Sequence, residues 1–243
     1  MAGRFDRVAR LLGENALARL AESAVLVAGL GGVGALCAET LVRSGVGRVD
    51  VVDGECIEPS NSNRQILSLD STMGRRKVEV FSSRAHDISP HVAIEGFPWR
   101  LNRDTIDRLD LARYDAVADA IDSLIPKLNL IIACLERDVA VFSSTGAGFK
   151  IDPGAVRVAS IWETGGDRLA HRMRKKLRQW GHGDKDFQVV HSTELPPPSV
   201  RSDSPSGEIG ALMTVTGTFA LRLAHLVLIR LTSSCRSGTN TGE

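Results

Sequence analysis

At 243 residues, with 43% apolar and 24% charged side chains and a formal net charge of +1, the chain is long enough to bury one sizeable core. Its near-neutral balance leaves any attraction to polyanions to local patches rather than to the whole surface. Four scattered cysteines without a C-x-x-C pair (Cys37, Cys56, Cys134, Cys235), no signal-peptide core and no unbroken apolar run of membrane length argue against structural zinc, a disulfide framework and a membrane span, and fit a cytoplasmic protein.

In chain order, residues 4–22 predict one or two helical turns, with Leu11, Leu12, Leu17 and Leu20 packing and the arginines outside. Ala24 to Ala28 is a valine-rich run of the kind found in strands buried on both faces. It stops at Gly29, and Gly29, Gly31 and Gly34, with Gly32 between them, carry G-x-G-x-x-G spacing before a helix over Ala35 to Val42. Such a turn lets a phosphate approach backbone amides without meeting a Cβ, at the positive end of a helix dipole. A second strand over Val49 to Val52 ends at Asp53, nineteen residues past Gly34, where a carboxylate can accept from ribose hydroxyls. Strand, glycine loop, helix, strand and acid together mark a nucleotide site without saying which nucleotide.

Gly54 to Leu69 lacks periodicity and carries Asn61-Ser62-Asn63-Arg64-Gln65. The pattern then predicts a helix over Met73 to Ile88, a strand over Val92 to Ile94, and a helix over Thr105 to Leu111. Further on it gives a strand over Tyr114 to Ala120, a helix over Lys127 to Leu135 and a strand over Val139 to Ser143. This alternation reads as an α/β fold, a Rossmann-like doubly wound and mostly parallel sheet. Beyond Gly148 come strands over Ala155 to Ile161 and Phe187 to Val190, a basic helix over Asp167 to Trp180, a mobile loop over Leu195 to Glu208, and a long helix over Ile209 to Leu231. One domain over 1–231 follows, with a nucleotide-binding core near 23–148, a C-terminal strand and helix extension over 149–231, and a disordered tail over 232–243.

Ligands of open parallel sheets bind beyond the strand carboxyl ends. The glycine loop, Asp53, the 61–65 cluster and Asp122 all leave such ends, with Lys77 entering from the adjacent loop-to-helix junction. Singly, each has a plainer reading: a polar loop, a surface lysine, an Asp122–Ser123 helix cap. Together, Arg64 and Lys77 can grip two or three phosphates, the asparagines can donate to phosphate or base, and Asp122 can hold Mg²⁺. A dehydrogenase rarely needs such cations beside its pyrophosphate, so the grouping favours ATP cleaved between its α- and β-phosphates over NAD.

Gly29-Leu30-Gly31-Gly32-Val33-Gly34, Asp53, Asn61-x-Asn63-Arg64-Gln65, Lys77-Val78-Glu79 and Asp119-Ala120-Ile121-Asp122 resemble the superfamily of ubiquitin-activating enzymes and their carboxylate-adenylating bacterial relatives. Arg4-Phe5-Asp6-Arg7, Ser143 to Gly148, Ile151-Asp152-Pro153 and Val189 to Glu194 narrow the resemblance to the tRNA threonylcarbamoyladenosine dehydratases, over roughly residues 4–231. It implies that the glycine loop and Asp53 hold ATP phosphates and ribose. Asn61, Asn63, Arg64, Gln65 and Lys77 would serve the triphosphate, and Asp122 with Ser123 the metal and nucleotide. Arg7 would reach the partner subunit's ATP in a homodimer. The reaction implied is adenylation of a threonyl carboxylate on a tRNA nucleoside beside the anticodon, then ring closure by the neighbouring carbamoyl group.

The basic helix carries Arg168, Arg172, Arg174, Lys175, Lys176 and Arg178. A charge run is usually a solvated helix face, but on a near-neutral protein it can bind a phosphate backbone, and tRNA is the expected partner. No cysteine stands between Val200 and Gly210, which argues against thioester chemistry there. The competing readings are an adenylyltransferase acting on the C-terminal glycine of a carrier protein, an NAD-dependent dehydrogenase, and a nucleotide-holding subunit without catalysis. Assistance from a protein sulfur-transfer partner is left open.

Overall fold

The computed structural model describes residues 3–195 and 210–233. Its strands are β1 (Ala24–Ala28), β2 (Arg48–Val52), β3 (Gly96–Phe97), β4 (Ala116–Asp119), β5 (Val141–Ser144), β6 (Val156–Ser160) and β7 (Gln188–Ser192). They form one sheet in the order β3-β2-β1-β4-β5-β7-β6, parallel throughout except for β6, which runs antiparallel to β7 at the edge. The order reverses between β1 and β4, which places the ligand crevice at their carboxyl ends.

The helices are α1 (Asp6–Leu12), α2 (Glu14–Glu22), α3 (Gly34–Arg43), α4 (Lys77–Ile88), α5 (Arg103–Asp107), α6 (Leu124–Glu136), α7 (Arg168–Gln179) and α8 (Met213–Ser233). They cover both faces, which is why β1 is apolar without alternation. Its Val25 and Val27 join a core with α3, α4 and α8, while Leu26 and Ala28 join one with α6 and α7. By length and hydropathy α8 could cross a membrane, with a mean hydropathy of 1.3 over its most apolar window. Here it is a core helix: Val215, Phe219, Leu223 and Val227 are fully buried, and it lies against α3, β4 and β5.

Several element boundaries differ from the sequence reading. The third strand, expected at 92–94, forms its ladder at Gly96–Phe97; Ala93 only bridges to Arg48. Gly96 permits the shift, because a Cβ there would come 3.1 Å from Val78 Cβ, so glycine lets α4 approach the sheet. The helix expected from Met73 starts at Lys77, since Gly74 turns with φ +76°. The helix expected over 105–111 starts and stops earlier because Asn102 caps it, its Oδ1 accepting the Thr105 N–H at 2.9 Å. The last helix starts at Met213 rather than 209 and continues through Thr232 and Ser233, which the sequence reading gave to the tail. The loop expected over 195–208 falls, from residue 196 on, outside the described residues, as does the tail beyond 233.

Candidate functional site

The chain closes most tightly at the glycine turn. Gly29 leaves β1 with φ +88°, and a Cβ on it would stand 2.9 Å from the Ala120 carbonyl oxygen; on Gly34 it would meet the Gly29 carbonyl at 1.7 Å. A Cβ on Gly31 would meet nothing within 4 Å, so the turn is open on that side, where a phosphate can approach. Asp53 braces the turn from the end of β2. Its Oδ2 accepts the Leu30 N–H at 2.6 Å and its Oδ1 the Glu55 N–H at 2.8 Å. Burial pushes the Asp53 carboxyl above its ordinary value, and the Lys77 ammonium opposes that rise.

Arg64 lies over the same turn: a Cβ on Gly32 would come 3.2 Å from Arg64 Cγ. Its Nη1 donates to the Ser60 carbonyl at 3.0 Å and to Asn63 Oδ1 at 2.9 Å, while Asn63 Nδ2 donates to the Ala211 carbonyl at 3.0 Å. Asn61 is occupied within its own turn, its Oδ1 accepting the Glu58 N–H and its Nδ2 donating to Ser60 Oγ. Gln65 is buried, and its Oε1 has no hydrogen-bond partner among the described residues.

Lys77 opens α4 with only 3% of its side chain exposed, and its Nζ pairs with Glu55 Oε2 at 2.7 Å. Glu55, which the sequence reading passed over, is 57% exposed and free to move. Asp122 is exposed and accepts from Ser123 Oγ at 3.0 Å, two residues past the Ala120 carbonyl that touches Gly29. Arg64, Lys77 and Asp122 therefore all leave segments that border the glycine turn. Arg7 does not. Its helix packs at the other end of the sheet, where Phe5 and Leu17 lie against Gly45 between α3 and β2.

Beneath the turn is a second feature the sequence reading missed. Lys127 and Asp119 are fully buried and paired at 2.5 Å. Ser143 Oγ donates to the same Asp119 oxygen at 2.6 Å, and Lys127 Nζ donates to the Ser144 carbonyl at 2.9 Å. The only available signal was a lone lysine in the apolar run Leu124 to Ile132, since a buried lysine needs a partner.

The segment after β5 moors the basic helix. Thr145 Oγ1 donates to Asp167 Oδ2 at 2.8 Å, and Asp167 Oδ1 caps α7 by accepting the Ala170 N–H at 2.8 Å. Nearby, Phe149 sits in the left-handed region at φ +58° and its N–H donates to the Gly210 carbonyl at 2.8 Å. Lys150 is buried and donates to the Glu194 carbonyl; burial lowers its ammonium below the ordinary lysine value. His191, on β7, is likewise lowered by burial, against the opposing charge of Asp167.

Helical phase then sorts the six cations of α7. Ala170, Met173 and Leu177 face the core. Arg174 donates to the Ile161 carbonyl and to Thr164 Oγ1, Arg178 lies 4.9 Å over the Trp162 ring, and Lys176 lies 5.3 Å from the Trp180 ring. Arg168, Arg172 and Lys175 form an exposed stripe at i, i+4 and i+7.

Among the described residues no three histidine, cysteine or carboxylate side chains converge as a metal site. Burial drives the Cys37 thiol far up and the Cys134 thiol to about 12, so neither is a nucleophile. A cavity of about 570 Å³ bordered by Arg103, Asn129, Arg137 and Trp180 lies between α5, α6 and the end of α7, and contains none of these site residues.

The chain is 38% identical over 196 residues, 81% of its length and 77% of the relative's, to the tRNA threonylcarbamoyladenosine dehydratase of Bacillus subtilis. It is 37% identical over 221 residues, 90% of its length and 73% of the relative's, to the sulfur carrier protein adenylyltransferase of Thermus thermophilus. The structure of the E. coli tRNA N6-threonylcarbamoyladenosine dehydratase TcdA in complex with ATP superposes with a TM-score of 0.89 at 31% identity, over 97% of this chain and 96% of that one. The ThiF family matches residues 5–234, and this chain belongs to it.

Proposed function

We propose that this chain is an ATP-dependent tRNA threonylcarbamoyladenosine dehydratase, working as a cytoplasmic homodimer. The observation that carries the reading is the meeting of Arg64, Lys77 and Asp53 at a glycine turn open beside Gly31. The turn's amides and Asp53 hold the phosphates and ribose. Arg64 and Lys77 then face the charge that builds as the threonyl carboxylate attacks the α-phosphorus and pyrophosphate departs; fixed donors of this kind are worth roughly 10²–10³ each in rate. The acyl adenylate is attacked by the carbamoyl group of the same nucleoside, AMP leaves, and the net change is the loss of one water. Ring closure within the substrate asks for no enzyme nucleophile, in keeping with the buried, protonated Cys37 and Cys134.

Mg²⁺ bound with the triphosphate supplies further charge neutralisation. Asp122 would hold it, and one exposed carboxylate suits an ion bound mainly through phosphates and water. Arg7, remote from its own glycine turn, would serve the partner's nucleotide.

The deciding experiment is incubation with ATP, Mg²⁺ and unfractionated tRNA, followed by mass measurement of the nucleosides. Threonylcarbamoyladenosine should lose the mass of one water. ATP–pyrophosphate exchange stimulated by a carrier protein, but not by modified tRNA, would instead establish an adenylyltransferase.

The exposed stripe of α7 is the proposed tRNA contact. Reversing Arg168, Arg172 and Lys175 together should weaken tRNA binding at low salt and reduce the log–log salt slope by about 2–3, roughly one per lost phosphate contact. Unchanged affinity would remove α7 from the interface.

A further inference from the structure

We infer that Asn63 is a positioning residue for Arg64 rather than a ligand of the nucleotide. Its carboxamide is engaged at both ends: Oδ1 accepts from Arg64 Nη1 at 2.9 Å, and Nδ2 donates to the Ala211 carbonyl at 3.0 Å. Oδ1, an acceptor, offers a phosphate nothing, and one of the two Nδ2 N–H bonds is committed to the Ala211 carbonyl. The far end of this bridge is itself fixed, because the Gly210 carbonyl accepts the Phe149 N–H at 2.8 Å and the Phe149 ring lies against Gly210. Asn63 thus spans two parts of the fold, the arginine over the glycine turn and the segment that enters α8.

The consequence concerns geometry more than charge. A guanidinium on a three-methylene stem samples many rotamers, and ordering such a side chain carries one of the larger side-chain entropy costs. Arg64 is held by only two acceptors among the described residues, the Ser60 carbonyl and Asn63 Oδ1. The Ser60 contact lies within the same turn; Asn63 alone ties the guanidinium to another element. With Asn63 in place, part of the ordering is complete before the nucleotide arrives.

This inference rests on the nucleotide reading above, and a double-mutant cycle separates the two. The probe is α,β-methylene-ATP, titrated into wild type, Asn63→Ala, Arg64→Ala and the double variant, with AMP titrated in parallel and thermal unfolding recorded for each. Asn63→Ala should weaken binding of the ATP analogue about 5–10-fold, the scale of one hydrogen bond, yet less than about 2-fold when Arg64 is already alanine. AMP, which lacks the β- and γ-phosphates, should bind all four proteins alike. Asn63→Gln, which keeps both polar groups on a longer stem, should recover part of the loss. Additive effects of the two alanines would overturn the positioning role and leave the nucleotide site standing, as would an equal loss of AMP affinity. Failure of wild type to bind the ATP analogue would instead overturn the nucleotide reading itself, and the positioning role with it.

Discussion

Lys77→Ala should slow AMP formation by about 10²–10³ while the protein stays folded. Lys77 is almost wholly buried at the start of α4, so its ammonium is poorly screened by water and acts at nearly full strength on a phosphate beside the glycine turn. Its present partner, Glu55, is more than half exposed and returns to water when the lysine is removed. No charge is stranded in the interior, so the stability cost should stay below the roughly 3–5 kcal/mol of a one-sided break in a buried pair, with the protein still folded at 25 °C. Single-turnover measurement of AMP release with saturating tRNA, alongside a thermal melt, checks both halves. Unchanged turnover would take Lys77 out of the site.

Lys127→Ala should have the opposite signature, a large loss of stability. It strands the Asp119 carboxylate at zero exposure, with the Ser143 hydroxyl still donating but no cation nearby. Breaking a buried pair from one side costs about 3–5 kcal/mol, which in a protein of this size lowers the melting midpoint by roughly 10 °C or more. Replacing both partners with apolar residues, Lys127→Met with Asp119→Leu, should recover most of that loss because no charge is left behind. Chemical denaturation of the two variants beside wild type tests this; Lys127→Ala costing under about 1 kcal/mol would show that water reaches the pair. The network also shapes the segment leading to Asp122, since Asp119 Oδ1 accepts the Ile121 N–H at 3.1 Å.

The contrast between these residues shows what a sequence can disclose. The glycine turn, Asp53 and the alternation of strands and helices were legible because their signals are local: spacing, period, and a run that stops at glycine. Lys77 and Arg64 were legible as cations that the fold brings near the glycine turn. The Asp119–Lys127–Ser143 network was not, because its three members come from a strand, a helix and the next strand, and each alone fits an ordinary role. The cations of α7 looked equivalent in sequence. Trp162, Thr164 and the Ile161 carbonyl, brought from before the helix, and Trp180 just after it separate the engaged ones from the exposed stripe. Asn63 reads in sequence as a phosphate donor, and its contact with a carbonyl 148 positions away leaves no local signal.

The central placement of α8 bears on how the chain is made. That helix lies against α3, β4, β5, β6 and β7, so it completes a layer whose other members were synthesised long before it. A nascent chain that has released everything through β5 has α3 and α4 over part of that layer, but the part that α8 covers, over β4 and β5, is still bare, with Ala118 facing outward. Such contacts between distant parts of a chain form slowly, and an uncovered apolar face is prone to aggregation while it waits. Shortened chains ending before Met213 should thus depend on chaperones for solubility even though every residue proposed for the nucleotide site is already present.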